Sequence, residues 1–151
     1  MKILYPLYWI IAFYPLCGIG ADLSKAKVQF TAMGFPSALT IVGKAEGLTG
    51  KISDHGGEVL LDLKKLDTGI SLRNTHMLKF LNAEKFPNAV VRWKDKEQAT
   101  LEVKGVAKPI QMWIDGGNYK FEVKMSDYGI QGVSFAGIGV DDLIKIEANV
   151  P

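Results

Sequence analysis

Tyr119-Lys120-Phe121-Glu122-Val123-Lys124-Met125-Ser126 alternates apolar and polar residues without a break over eight positions. Successive side chains on a β-strand point to opposite faces, so this stretch reads as a strand with one wet face and one apolar face. The same period recurs on both sides of it. Residues 143–150 set Ile144, Ile146, Ala148 and Val150 against Lys145, Glu147 and Asn149. Residues 99–106 alternate Leu101 and Val103 with Glu102 and Lys104. Residues 58–64 set Val59, Leu61 and Leu63 against Glu58, Asp62 and Lys64, with Leu60 out of step on the polar side. Val28 and Phe30 alternate with Lys27, Gln29 and Thr31.

Weaker strands are expected over 39–44, 48–53, 89–94 and 110–115. Turn signals stand at Gly56-Gly57, Asp95-Lys96, Gly116-Gly117-Asn118 and Asp141-Asp142. Short strands at roughly 8–12-residue spacing predict an all-β sandwich or barrel. Clean alternation predicts antiparallel pairing with one solvated face. One segment departs from the pattern: across 71–81, Leu72, Met77, Leu78, Phe80 and Leu81 cluster as a helix would present them. This predicts a short helix or coiled loop over one end of a single antiparallel barrel. There is no internal repeat, low-complexity stretch or linker.

The N-terminus reads differently. Met1-Lys2 is followed by an uncharged, largely apolar run to Leu16, then by Cys17-Gly18-Ile19-Gly20-Ala21 and the first acid, Asp22. A basic start, an apolar stretch of about 7–15 residues and small residues at the exit make up a secretory signal peptide. Cleavage is expected after Gly20, giving a leader over 1–20, a domain over 21–151 and a periplasmic or secreted location; retention as an anchor is the alternative. Cys17 is the only cysteine, so the mature chain has none. Disulfide scaffolds, thiolate metal sites and thiol nucleophiles then drop out together. The 131 remaining residues suffice for one proper core. Net charge passes from +2 to +1 on losing Lys2, with both signs interspersed, so no nucleic-acid partner is expected.

Catalytic and metal chemistry have little to build on. His55 and His76 are the only histidines, far apart, with no paired-ligand spacing. His55 reads as a loop residue beside Gly56-Gly57. Ser71, Thr75 and His76 are neighbours but lack a nucleophile-elbow context. No catalytic residue, metal site or cofactor is expected. Arg73 lies three residues before His76, so on one helical turn they share a face. They read either as a local hydrogen-bonding network or as contacts to a ligand's polar head group.

Leu66-Asp67-Thr68-Gly69-Ile70-Ser71-Leu72-Arg73-Asn74-Thr75-His76-Met77, continued by Phe80-Leu81-Asn82-Ala83-Glu84-Lys85-Phe86-Pro87-Asn88-Ala89, resembles the YceI-like family. That family shows Leu-Asp-Thr-Gly, then Arg-x-x-His-Leu, then Phe-x-x-x-Lys-Tyr/Phe-Pro. Gly105-Val106-Ala107-Lys108-Pro109-Ile110 is similar to its Gly-Val-Thr-Lys-Pro-Val, and Ser126-Asp127-Tyr128-Gly129-Ile130 to its Ser-Asp-Phe-Gly-Ile. The family's opening Asp-x-x-His-Ser is missing, and Met77 replaces a leucine. The resemblance implies a lipocalin-like barrel in the periplasm or outside the cell that binds a polyisoprenoid or isoprenoid quinone.

The lipid-binding residues expected inside are Val28, Phe30, Val59, Leu61, Leu63, Leu78, Phe80, Phe86, Leu101, Val103, Ile110, Met112, Tyr119, Phe121, Val123, Ile144 and Ile146, with Arg73 and His76 at the head group. An eight-stranded barrel is just wide enough to be packed by side chains or to hold one small ligand. A prenyl tail gains roughly 0.8 kcal/mol per buried methylene. About fifteen of them outweigh an association cost of at least about 4 kcal/mol and reach micromolar affinity. Storage or transport of such a lipid is the expected role, with transient membrane contact and a dimer both compatible. A ligand-free exported interaction module, using the 72–86 segment or Trp113, is the alternative.

Overall fold

The computed structural model describes residues 21–36, 39–94 and 98–151. The expected leader, with Cys17, and the expected turn at Asp95-Lys96 lie outside the described residues.

The strands are β1 (Lys27–Phe35), β2 (Thr40–Glu46), β3 (Thr49–Ser53), β4 (Gly56–Asp62), β5 (Asn88–Lys94), β6 (Gln98–Val103), β7 (Val106–Ile110), β8 (Trp113–Asp115), β9 (Asn118–Lys124), β10 (Ser134–Phe135) and β11 (Ile138–Asn149). One sheet runs β2-β1-β11-β9-β8, with β10 on β11; the other runs β3-β4-β5-β6-β7. All pairings are antiparallel. The chain joins the sheets at both edges, passing from β2 into β3 through Gly47 and Leu48 and from β7 into β8 through Gln111 and Met112. The architecture is a lipocalin-like antiparallel barrel. Apolar residues of both sheets meet inside it: Val28 and Tyr119 pack with Ile52, Val59 and Leu61.

Several local readings are corrected. Residues 99–106 are not one strand but two, because Lys104 and Gly105 both take positive φ and close a two-residue hairpin between Val103 and Val106. The turn near Gly56-Gly57 is made by Asp54 and His55, while both glycines belong to β4. Gly57 is needed there because a Cβ would stand 2.5 Å from the Trp93 ring. Asp141-Asp142 is not a turn. It lies inside β11, in a bulge where Ala32 faces Ile144 but Gly34 faces Val140. Residues 110–115 split at the crossing between the sheets. Leu63 leaves β4 to open a 3-10 turn, Leu63–Lys65, in which Asp62 accepts from the Lys64 N–H.

The expected helix is α1, Ser71–Phe80. None of its residues is fully buried, and its packing explains where it lies. Met77 and Leu78 rest on Ala45, Leu63 and Leu66, whereas Phe80 and the following Leu81 rest on Leu101, Phe121 and Tyr128. The helix therefore rests on residues of both sheets over one barrel end. The segment before it is moored to β2 by paired backbone bonds between Lys44 and Asp67, 2.8 and 2.9 Å. At the opposite end, Ala26, Val28, Leu48 and Val150 form a buried layer.

Candidate functional site

Inside the barrel is a cavity of about 260 Å³. Period-two alternation builds its wall: Val28, Phe30 and Ala32 from β1, Val59 and Leu61 from β4, Leu101 and Val103 from β6, and Tyr119, Phe121 and Val123 from β9. From β11 come Ile144, Ile146 and Ala148, and from β5 Ala89, Val91 and Trp93. Two cross-strand glycines make room for the rings. Phe30 lies over its partner Gly43, where a Cβ would collide with the ring, and Trp93 lies over its partner Gly57.

Most residues expected to line the interior do so. Val28, Phe30, Val59, Leu61, Leu63, Phe80, Leu101, Val103, Met112, Tyr119, Phe121, Val123, Ile144 and Ile146 all border the cavity, as do Arg73 and His76. Leu78, Phe86 and Ile110 are not among the lining residues. Leu78 turns into the layer beneath α1 with Ala45, Leu63 and Leu66. Phe86 is taken up by the β6–β7 hairpin: its ring stands 2.8 Å from where a Gly105 Cβ would be, with the Lys85 ammonium 5.3 Å from its centroid. Ile110 ends β7, where the chain leaves its sheet, and packs beside Leu101 and Tyr128.

Other lining residues escape the alternation argument. Val91 and Trp93 carried a signal, since they alternate with Arg92 and Lys94. Tyr128, Ile130 and Phe135 lie in or beside irregular turns and had none.

Polar lining gathers at the α1 end, in Thr68, Arg73, His76, Ser134 and Tyr128. Arg73 is engaged locally: Nε donates to Thr68 Oγ1 (3.0 Å) and Nη2 to the Thr68 carbonyl (2.8 Å). Thr68 in turn donates its N–H and hydroxyl to Asn74 Oδ1, and Asn74 Nδ2 donates to Asp67. That amide, and then the Gly69 N–H, hold the Asp67 carboxyl below its ordinary value. This network pins the loop ahead of α1, and the Arg73–Thr68 bonds are its core. His76 sets its ring edge-on to Phe135, centroids 5.6 Å apart.

Tyr128 is held in a 3-10 turn, Met125–Tyr128, that follows β9. Asp142 from the β11 bulge anchors the turn, accepting from the Ser126 N–H (2.7 Å) and hydroxyl (2.6 Å). Those bonds hold the Asp142 carboxyl below its usual range. Burial, and secondarily Asp127, push the Tyr128 phenol up to about 12. Burial also raises Tyr119. Apart from Arg73 at the α1 end, the described lining of the cavity carries no Lys, Asp or Glu.

The model of the YceI-like domain family matches residues 20–151. Among solved structures, a polyisoprenoid binding domain from Saccharophagus degradans implicated in plant cell wall breakdown aligns with TM-score 0.65 at 15% identity, covering 87% of this chain and 98% of that one. BcnA from Burkholderia cenocepacia aligns with TM-score 0.63 at 18% identity, covering 86% of this chain and 98% of that one. At these identities the likeness is one of fold. Comparison with curated protein sequences gives no significant match.

Proposed function

This chain belongs to the YceI-like family, and from that premise we propose that it is an exported protein that holds the tail of an isoprenoid lipid, a polyprenol or prenyl quinone, inside its barrel for storage or transport. The observation that carries the reading is the cavity of about 260 Å³, walled by hydrocarbon from both sheets. It lies just below the roughly 300–1,000 Å³ of small-molecule pockets, so a short tail fills it. Burial of about ten methylene equivalents contributes roughly 8 kcal/mol before association costs. Shape and apolarity supply the affinity. The polyisoprenoid-binding relative of like fold supports the ligand class, and the basic-then-apolar residues 1–20 support export.

The head group rests at the α1 end, beside His76 and the Arg73 Nη1 not used on Thr68. No chemical step is assigned to any residue. An interaction module would use the exposed Leu72 or Trp113, but it gives the cavity no role. Organic extraction of the purified protein followed by lipid mass spectrometry tests the proposal. A stoichiometric prenyl lipid is expected, and an extract free of prenyl lipid from protein that also refuses added prenyl lipid would refute it.

A further inference from the structure

We infer that the Tyr128 hydroxyl is a hydrogen-bond donor in the cavity and meets an acceptor oxygen on the head of the ligand. The inference rests on the tail-binding reading above and adds the chemistry of the head. Tyr128 is 3% exposed and lines the cavity. No hydrogen bond joins its hydroxyl to another described residue, whereas buried polar groups nearly always have a partner. Among the described residues, no fully occluded side-chain nitrogen or oxygen lacks one. The Tyr128 hydroxyl is therefore not occluded and borders open space. Tyr128 lines the cavity, and that space is assigned to it.

The ring is held firmly enough to make the contact directional. It packs among Leu101, Phe121 and Ile130. The turn beneath it is tied by Asp142 to Ser126 and closed by Gly129 at φ 70°. A phenylalanine would supply the same packing, so what tyrosine adds is a polar tip in an apolar wall. Burial keeps the phenol protonated, hence a donor, throughout the physiological range. Arg73 gives Nε and Nη2 to Thr68 but keeps its charge and Nη1, so Tyr128 distinguishes among neutral heads and does not bar an anion. A neutral carbonyl, ether or alcohol oxygen suits that donor.

Displacement of the fluorescent probe N-phenylnaphthylamine from the full chain tests this with squalene and a short-chain ubiquinone. Tyr128→Phe is expected to weaken ubiquinone binding by about five- to tenfold, the scale of one hydrogen bond, and to leave squalene unchanged. An unchanged ubiquinone-to-squalene ratio would overturn the inference. Equal loss of ubiquinone and squalene would mean that the ring only packs, which refutes the hydroxyl's role and leaves tail binding standing. Wild-type protein that binds neither sinks the tail-binding reading itself. Should the variant not fold, the infrared carbonyl stretch of ubiquinone bound to wild type decides: a shift below its value in hexane is expected, and an unshifted band refutes the donor.

Discussion

Trp93 on β5 and Tyr119 on β9 meet across the interior, ring centroids 5.8 Å apart and planes inclined by 54°. They belong to different sheets, so the contact joins the two walls at the end away from α1. Trp93 is 9% exposed and sits over Gly57, which leaves its ring little freedom to move aside. The cavity thus has an aromatic floor at one end and its polar residues at the other. For the lipid proposed above, this arrangement predicts one orientation, tail toward Trp93 and head toward α1.

Gly43→Ala should disturb the wall directly. The added methyl collides with the Phe30 ring, and Phe30 can yield only into the cavity. A loss of about 1–3 kcal/mol in urea unfolding is expected, as for overpacked interiors, with weaker binding of an apolar probe. Unchanged stability and binding would show that Phe30 does not lie over Gly43.

Ala32→Phe probes the hollow from the other direction. Ala32 is 2% exposed and lines the cavity. In a filled core so large an addition is strongly destabilising, whereas a hollow accepts it. Stability is expected to stay within about 1 kcal/mol of wild type while apolar probe binding falls at least tenfold. A loss well above about 3 kcal/mol would indicate an interior already packed.

Alkaline pH should act through Tyr128. Its folded value of about 12 stands above an ordinary value of about 10. Between the two, the folded chain keeps a proton that the unfolded chain releases, so the folded state is favoured less as pH rises. The contribution is fully present below pH of about 10, is lost as pH climbs through about 12, and amounts to on the order of 2 kcal/mol. Tyr128→Phe should lose less stability than wild type over this range, although Tyr119 leaves some decline in both. Identical slopes would mean that the phenol is not held in an apolar site.

Asp142→Ala should release the turn that carries Tyr128. Both bonds to Ser126 disappear, and loss of such a cap costs about 1 kcal/mol. Hydrogen exchange is expected to rise at 125–130 while the hairpin of β3 and β4 stays protected. Uniform exchange across the domain would place the anchor elsewhere.

Much of this arrangement is legible in the sequence because a barrel wall obeys a period of two. Phe121, Val123, Ile144 and Ile146 could be assigned to the interior from alternation alone, and the structure puts all four on the cavity. Irregular segments carry no such rule. Nothing near Tyr128 or Phe135 shows which way a side chain faces, because their turns are set by Asp142 and by the β10–β11 pairing. The Lys104-Gly105 hairpin is masked because lysine seldom takes positive φ, and Asp141-Asp142 mimics a turn while forming a bulge. Arg73 could be read two ways, and only geometry reveals the two bonds to Thr68. Above all, alternation looks the same whether the inner faces interlock or stand apart, so the hollow itself was beyond its reach.

Trp93 offers the most direct test of that hollow, because it lines the cavity while Trp113 is 60% exposed and does not. In a Trp9→Phe, Trp113→Phe background, titration with a short-chain prenyl quinone should quench the Trp93 emission saturably, at micromolar concentrations or below. Quenching that rises only linearly with quinone, without saturation, would contradict occupancy of the barrel by a prenyl tail.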